Sequence, residues 1–443
     1  MESSSIPSAS GTIVDPSQVR SPKLWKRVAV LLLALCFAGG MFWFVDRMWA
    51  PGKEAHFSDL YARWYGSREL LLRGRDPYGP AVTREIQVWI YGHPLDAPGS
   101  QSAFRDENRF AYPLYIVFVL APFVRLSFQQ VHDSMRVLLP LICGVTTLLW
   151  MRSIRWRGDP AVMVVVLLMS VANFPVLESI YLQQPVLLAA FFLAGSFAAF
   201  EERRLYTSGT LLALAAIKPQ VCSLFIVWIL FWACSDWRIR RRLVFGFLIT
   251  FGLLIGGAEL LLHGWLAEFV RGLMEYQAYT GNSSVLSFAL GTFLGRTTCM
   301  ILLLTLALLV WRTRCEPFGS PRFYFAFASV LVVTLVTAPT MYPTNQVVLL
   351  PIFLWLMKRS TQIWAEGRWV RLVYIAAVAL AAWPWLGSIF AIAFHKIVRL
   401  EILLSAVLVP VLLVPISLLI FLVIEAVVVT HDAIPAPCGP NSK

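Results

Sequence analysis

Two isolated charged residues beside long apolar runs, Asp59 and Lys218, are the side chains best suited to chemistry. Asp59 follows the first apolar run, in the segment His-Phe-Ser-Asp-Leu-Tyr. A carboxylate near a bilayer surface can accept a proton from a substrate hydroxyl, as a general base does. The alternative is structural, because Ser58 or Asp59 would also suit the N-cap of the helix that we expect to start there.

Lys218 interrupts an apolar stretch, where a charge is costly and indicates either function or a buried partner. Beside a phosphate-bearing lipid, this lysine would pair with the phosphate as a point charge. Alternatively, its long side chain extends to the membrane interface. Arg296 allows the same two interpretations, and Glu259 could be its ion-pair partner.

Neutral polar residues cluster at predicted helix ends: Gln183, Gln184, Asn345 and Gln346. They could hold sugar hydroxyls or cap helices. The six histidines lack metal-ligand spacing, and the sequence has no phosphate-binding or dinucleotide glycine motif. We therefore expect no metal and no cofactor.

The composition identifies the kind of protein that must position these residues. Of 443 residues, 58% are hydrophobic and 14% are charged, with a mean hydropathy of +0.70. Soluble domains are typically about a quarter charged, so a soluble enzyme is excluded. The chain is predicted to be an all-α polytopic membrane protein, with many spans of about 20 residues each.

The basic residues predict the topology. Alternate joints between apolar runs, with the N-terminal tail, hold twenty Lys and Arg, whereas the intervening joints hold three. Positively charged joints stay cytoplasmic. This asymmetry explains the net charge of +12 without nucleic acid. The predicted spans are 28–46, 131–151, 160–178, 185–200, 207–217, 219–234, 243–262, 285–311, 323–338, 346–357, 372–390 and 401–427.

Twelve crossings place both termini, 1–27 and 428–443, in the cytoplasm as tails flanking a membrane domain at 28–427. Residues 46–111 form a large, electrically neutral first extracytoplasmic loop, with a helix over 57–73 and an irregular part at 76–108. The apolar run 112–128 is predicted to re-enter the membrane without crossing it. A cleaved signal peptide is the less favoured alternative for the first run, which exceeds the usual signal core of about 7–15 residues.

Several short motifs then gather on the outer face. Phe57-Ser58-Asp59-Leu60-Tyr61 precedes Leu72-Arg73-Gly74-Arg75-Asp76-Pro77-Tyr78, and Phe110-Ala111-Tyr112-Pro113 opens the next apolar run. Gln184, the helix from Gly209 to Lys218-Pro219-Gln220, and the segment from Ala338-Pro339 through Asn345-Gln346 to Pro351 complete the set. In order and spacing these motifs resemble glycosyltransferase family 87, within the GT-C superfamily.

The resemblance implies a GT-C-like bundle that moves a hexose, usually mannose, from polyprenyl phosphate to a lipid or glycan acceptor outside the cytoplasmic (inner) membrane. Asp59 would be the base, and the reaction would invert the anomeric centre. Lys218 and Arg296 are expected at the donor phosphate. The residues expected to bind substrate are Arg63, Tyr78, Tyr112, Gln184, Tyr342, Asn345 and Gln346.

The chain departs from the family pattern at four positions. Gln183 replaces a usual Gly, Val186 lies where an Asn is common, and Tyr342 and Thr344 replace a Trp and a His. These departures allow a non-catalytic relative. A secondary transporter or lipid-carrier flippase is the other alternative, although we would expect repeat symmetry and broken midplane helices in a transporter.

Overall fold

A computed structural model describes residues 24–49, 58–96, 106–156, 158–280, 284–339 and 342–429. The described residues form helices and no strands. The α-helices are α1 (Leu24–Met48), α2 (Leu60–Arg73), α3 (Pro80–Tyr91), α4 (Ile116–Leu120), α5 (Phe128–Ser153), α6 (Pro160–Val171), α7 (Phe174–Tyr181), α8 (Val186–Glu201), α9 (Leu205–Leu214), α10 (Pro219–Ser235), α11 (Trp237–Leu261), α12 (Trp265–Thr280), α13 (Val285–Leu290), α14 (Thr292–Thr313), α15 (Pro321–Thr337), α16 (Leu350–Lys358), α17 (Ser360–Ala365), α18 (Arg368–Phe394) and α19 (Leu400–Val429). Three short 3-10 segments, Ala121–Phe123, Ala215–Ile217 and Pro343–Leu349, join some of them.

Six of these helices are long and apolar enough to cross a membrane: α1, α5, α11, α14, α18 and α19. A seventh span results if α6 and α7, which are bent by 51° at their junction, count as one. The all-helical, multi-pass class is thus confirmed. Four further apolar helices have only 10–17 residues, so the number of twelve crossings stays a prediction.

The region predicted as a first outer loop contains two complete helices in its described part, which lacks 50–57 and 97–105. The expected helix over 57–73 corresponds to α2, which ends at Gly74 in the left-handed conformation (φ 66°). The expectation of an irregular part at 76–108 is wrong for α3, which begins with Pro80 at its first turn and ends at the left-handed Gly92. Arg75 joins α2 to α3, because its guanidinium contacts both Glu69 and Glu85 at 2.7 Å.

The predicted re-entrant run 112–128 contains only α4 and a 3-10 turn before Ser127 caps α5. Five helical residues rise about 7.5 Å, far less than a bilayer core of about 30 Å. The tail 1–27 lies outside the described residues up to residue 23, and the tail 428–443 lies outside them from residue 430.

A cluster of aromatic rings fixes α8 against its neighbours. Phe197 of α8 lies 5.1 Å from Trp150 of α5, 5.6 Å from Phe225 of α10 and 5.2 Å from Phe327 of α15, between ring centroids. Such ring pairs add about 0.5–1.5 kcal/mol each beyond the apolar area they bury. This packing matters for function because the residues just before α8 and α10 carry Gln184 and Lys218.

Helices α9 and α11 lie backbone to backbone. A Cβ atom on Gly209 would lie 2.0 Å from the carbonyl oxygen of Leu243, and one on Gly246 would lie 2.3 Å from the carbonyl oxygen of Tyr206. Only glycine fits at these two positions, because no other residue type lacks the Cβ atom.

Candidate active site

Asp59 lies at the turn that leads into α2, but its side chain does not cap that helix. The capping contact comes from Ser58, whose Oγ accepts a hydrogen bond from the backbone N–H of Leu60 at 3.2 Å. The carboxylate of Asp59 instead accepts a hydrogen bond from Nε2 of Gln184. Of the two interpretations of this segment, the structure gives the capping contact to Ser58 and leaves Asp59 facing a cavity.

That cavity has a volume of about 810 Å³ and a mixed polar and apolar wall. Its wall includes seven of the residues that the sequence proposes for catalysis or binding: Asp59, Arg63, Tyr112, Gln184, Lys218, Tyr342 and Asn345. They come from five separate parts of the chain, and the fold brings them together. We call this space the polar cavity.

Gln184 connects Asp59 to Lys218. Its Nε2 donates to Asp59, and its Oε1 accepts from Nζ of Lys218 at 3.2 Å. Lys218 itself stands at the break between the 3-10 turn 215–217 and α10, with φ −125° and ψ 75°, and its side chain is only 4% exposed. The Lys218 side chain therefore does not extend to solvent. The amide of Gln184 lies between its ammonium and the carboxylate of Asp59, the candidate base.

Arg63 lies against Tyr112 on the same wall. Its Nη2 donates to the phenol oxygen of Tyr112 at 2.8 Å, and its guanidinium carbon lies 4.1 Å from the centre of that ring. The other two nitrogens, Nε and Nη1, are buried and have no hydrogen-bond partner among the described residues. Tyr78 stands behind this pair and donates its phenol proton to the carbonyl oxygen of Tyr112 at 2.6 Å. Tyr78 thus supports the wall without belonging to it.

Burial is the main influence on the pKa of Asp59, and it raises that pKa above the ordinary value of 3.8. The positive charge of Arg63 opposes the increase, the negative charge of Asp106 adds to it, and the ammonium of Lys218 opposes it. A base with a raised pKa holds a proton more strongly once it has accepted one. Burial also raises the pKa of Tyr112, whose phenol therefore stays protonated and available as a hydrogen-bond donor.

Three further charged residues line the cavity that the sequence did not single out: Glu178, Asp106 and Arg109. Glu178 is 7% exposed, and its Oε2 has no partner among the described residues. Arg109 forms ion pairs with Glu107 and with Glu275 of α12. For Glu178 a signal existed, since an acid at the end of an apolar run is rare.

Besides Tyr78, two predicted residues do not reach the polar cavity. Arg296 is exposed on α14, and Glu259, its proposed ion-pair partner, instead contacts Nδ1 of His263 at 2.8 Å. Gln346 faces a different, apolar cavity, and its Nε2 donates to the carbonyl oxygen of Val411 at 2.8 Å. Thr344, which stands where the family often has a His, does line the polar cavity.

No group of three or more His, Cys, Asp and Glu side chains within the described ranges could hold a metal ion. The polar groups of the cavity include three carboxylates and three cations, together with neutral amides and phenols.

More than half of the chain matches a known protein family. Residues 110–343 match the family model described as glycosyltransferase family 87, which is more than half of the 443 residues. A multi-pass helical protein with this match is a membrane glycosyltransferase. The chain belongs to glycosyltransferase family 87, as its motifs predicted. No curated protein and no solved structure matches it.

The matched region includes Tyr112, Gln184, Lys218 and Tyr342 but begins after Asp59 and Arg63. The family match therefore covers most of the cavity wall, whereas the assignment of the base depends on the contacts of Asp59 with that wall.

Proposed function

We propose that this protein is a GT-C-type hexosyltransferase that moves a hexose, in the first instance mannose, from a polyprenyl-phosphate donor to a lipid or glycan acceptor. The observation that carries the proposal is the contact chain from Asp59 through Gln184 to Lys218 in one wall of the polar cavity. It supports the proposal because a carboxylate, which can accept a proton, and a lysine, which can pair with a phosphate, lie on either side of one amide.

In this mechanism the acceptor hydroxyl lies against the Asp59 carboxylate and loses its proton to it. The acceptor oxygen forms a bond to the anomeric carbon as the bond from that carbon to the phosphate oxygen breaks. The electron pair of that bond leaves with polyprenyl phosphate, so one displacement inverts the anomeric centre. No cofactor takes part, since the lipid-linked sugar is itself a substrate.

Lys218 has the complementary task of stabilising the charge that develops on the departing phosphate. Its ammonium is buried, so water screens it little and its field on a nearby phosphate is strong. Arg63 supplies a second buried cation, and two of its nitrogens have no partner in the described part of the chain, which suits them to a phosphate oxygen or a sugar hydroxyl. Asn345 and the phenols of Tyr112 and Tyr342 supply neutral groups for the sugar.

The proposed location is the inner membrane, with both termini cytoplasmic and the polar cavity on the extracytoplasmic side. The support is the asymmetry of Lys and Arg between alternate joints, which orients membrane proteins. A polyprenyl chain would remain in the bilayer while its phosphosugar enters the cavity.

The test is a transfer assay in membranes with radiolabelled polyprenyl-phosphate mannose. Asp59→Asn should reduce transfer by at least about 10²-fold, because the amide cannot accept the proton. Asp96→Asn is the matched control: Asp96 belongs to the same region but forms a surface ion pair with Arg84. Transfer that survives Asp59→Asn would remove Asp59 from the mechanism. No transfer by the wild type, with glucose and arabinose carriers also inactive, would contradict the proposed enzyme.

A further inference from the structure

The chain between α7 and α8 turns at Gln183 in a conformation that favours glycine. Gln183 has a φ of 54°. The backbone N–H of Gln184 donates to the carbonyl of Ser179 at 2.8 Å, and that of Gln183 donates to Ile180 at 3.2 Å. This pair of bonds is the Schellman ending of a helix, and the residue in Gln183's position is usually glycine because a Cβ atom is disfavoured there.

The Gln183 side chain makes three hydrogen bonds in return. Its Oε1 accepts from Oγ of Ser58 at 2.6 Å and from Nδ1 of His132 at 3.0 Å. Its Nε2 donates to the carbonyl oxygen of His132 at 2.7 Å. The residue is 3% exposed, so water competes little for these bonds. A glycine at this position would relax the backbone but provide none of these contacts.

Ser58 connects the Gln183 side chain to the backbone of the turn that contains Asp59. Its Oγ accepts from the N–H of Leu60 at 3.2 Å, and its carbonyl accepts from the N–H of Tyr61 at 3.0 Å. These bonds bracket Asp59 on the turn into α2. The neighbouring Gln184 meanwhile binds the Asp59 carboxylate. Two consecutive glutamines thus hold the backbone and the side chain of the same residue.

We propose that Gln183 is a positioning residue that fixes the Asp59 turn against α5 by bridging Ser58 and His132. This inference rests on the proposed function for its kinetic consequence, but the restraint itself does not depend on any substrate. Gln183 does not line the polar cavity, so it acts through Ser58 and Asp59 without touching substrate.

The end of α8 offers a matched control. Arg203 has a φ of 60°, and it occupies the same place in the same motif, with Arg204 N–H donating to Ala199 and Arg203 N–H donating to Phe200, both at 2.9 Å. Its side chain is exposed and does not line either cavity. Arg203→Gly therefore relieves the same backbone conformation as Gln183→Gly but removes no contact to the Asp59 turn.

The kinetic test compares Gln183→Gly with Arg203→Gly in purified protein. Gln183→Gly should lower kcat about 10- to 100-fold with the donor KM within about 3-fold, because small displacements of a reacting group cost that much while binding groups remain. Arg203→Gly should leave both constants unchanged. Gln183→Asn, which tolerates the left-handed conformation but is one methylene shorter, serves if the glycine variant does not fold.

Hydrogen–deuterium exchange supplies a readout that needs no donor. Peptides covering 58–66 should exchange at least about 10-fold faster in Gln183→Gly, whereas peptides of α15 should not change. Unchanged exchange over 58–66, or an unchanged kcat, would overturn the proposal. If the wild type transfers no sugar, the proposed donor is contradicted and the exchange result alone decides whether Gln183 holds the turn.

Discussion

Two cavities among the described residues share a wall and differ in chemistry. The polar cavity measures about 810 Å³, and an apolar cavity of about 490 Å³ lies among α1, α6, α16, α18 and α19. Helix α7 contributes Glu178 to the polar cavity and Val176 to the apolar one. The segment Pro343–Leu349 likewise gives Asn345 to the first and Gln346 to the second.

This difference shows that the direction of a side chain, more than its position in the sequence, determines which of the two cavities it lines. Successive residues on an α-helix point about 100° apart, so residues two apart point to nearly opposite sides. In the 3-10 segment, neighbouring residues diverge by about 120°. The shared wall thus separates a space for charged chemistry from one lined by hydrocarbon.

Among the comparisons between the two cavities, the largest effect should come from Lys218, one of three cations that line the polar cavity. Lys218→Met removes the ammonium and leaves Oε1 of Gln184 without its donor, so we expect kcat to fall about 10²-fold. The control is Lys358→Met, which removes a lysine bonded to the carbonyl of Ile154 and absent from both cavity walls. Steady-state transfer kinetics would measure both. An unchanged kcat in Lys218→Met would show that the polar cavity does not stabilise the leaving phosphate through Lys218.

The pH dependence of transfer should report the raised pKa of Asp59. Activity requires the deprotonated carboxylate, so kcat/KM should fall as the pH falls through a value above 3.8. Arg63 opposes the increase in this pKa, so Arg63→Met should move the acid limb to higher pH.

Arg68→Met controls for the same loss of charge on α2, since Arg68 lies over Trp64 and does not line the cavity. The measurement is the pH profile of kcat/KM for the wild type, Arg63→Met and Arg68→Met. A limb that is identical in wild type and Arg63→Met would mean that a group other than Asp59 titrates.

The smallest effect is expected on the apolar side. Gln346→Leu removes the hydrogen bond to the carbonyl of Val411 and should reduce the free energy of unfolding by about 1 kcal/mol. Transfer by the folded protein should stay within about 3-fold of the wild type. Thermal unfolding and steady-state kinetics would separate these effects. A higher donor KM at an unchanged unfolding temperature would instead support Gln346 as a substrate ligand, as the sequence predicted.

Much of the site follows from the sequence because polar residues at the ends of apolar runs are rare enough to stand out. Asp59, Gln184 and Lys218 were all identified in this way, and they are in contact. Helix α3 was not predicted, because proline and glycine near its ends resemble a loop pattern. The direction of Gln346 could not be predicted either, since the sequence does not reveal a 3-10 segment.

The network around Gln183 lies beyond sequence reasoning for another reason. The family resemblance indicates only that Gln183 stands where a glycine is usual. The benefit of that replacement depends on Ser58 and His132, which lie 125 and 51 residues away along the chain. Arg296 lies within an apolar run but is exposed, because a cation in such a run need not face the interior of the bundle.

The close approach of α9 and α11 has a consequence for the geometry of catalysis. Gly209 precedes Lys218 by nine residues, which is about 14 Å along a helix. A methyl group at Gly209 or Gly246 would force the two axes apart, and a small tilt of α9 at that point becomes a larger displacement at its far end. The precision with which the Lys218 ammonium is held therefore depends partly on a helix crossing whose two glycines lie outside the wall of the polar cavity.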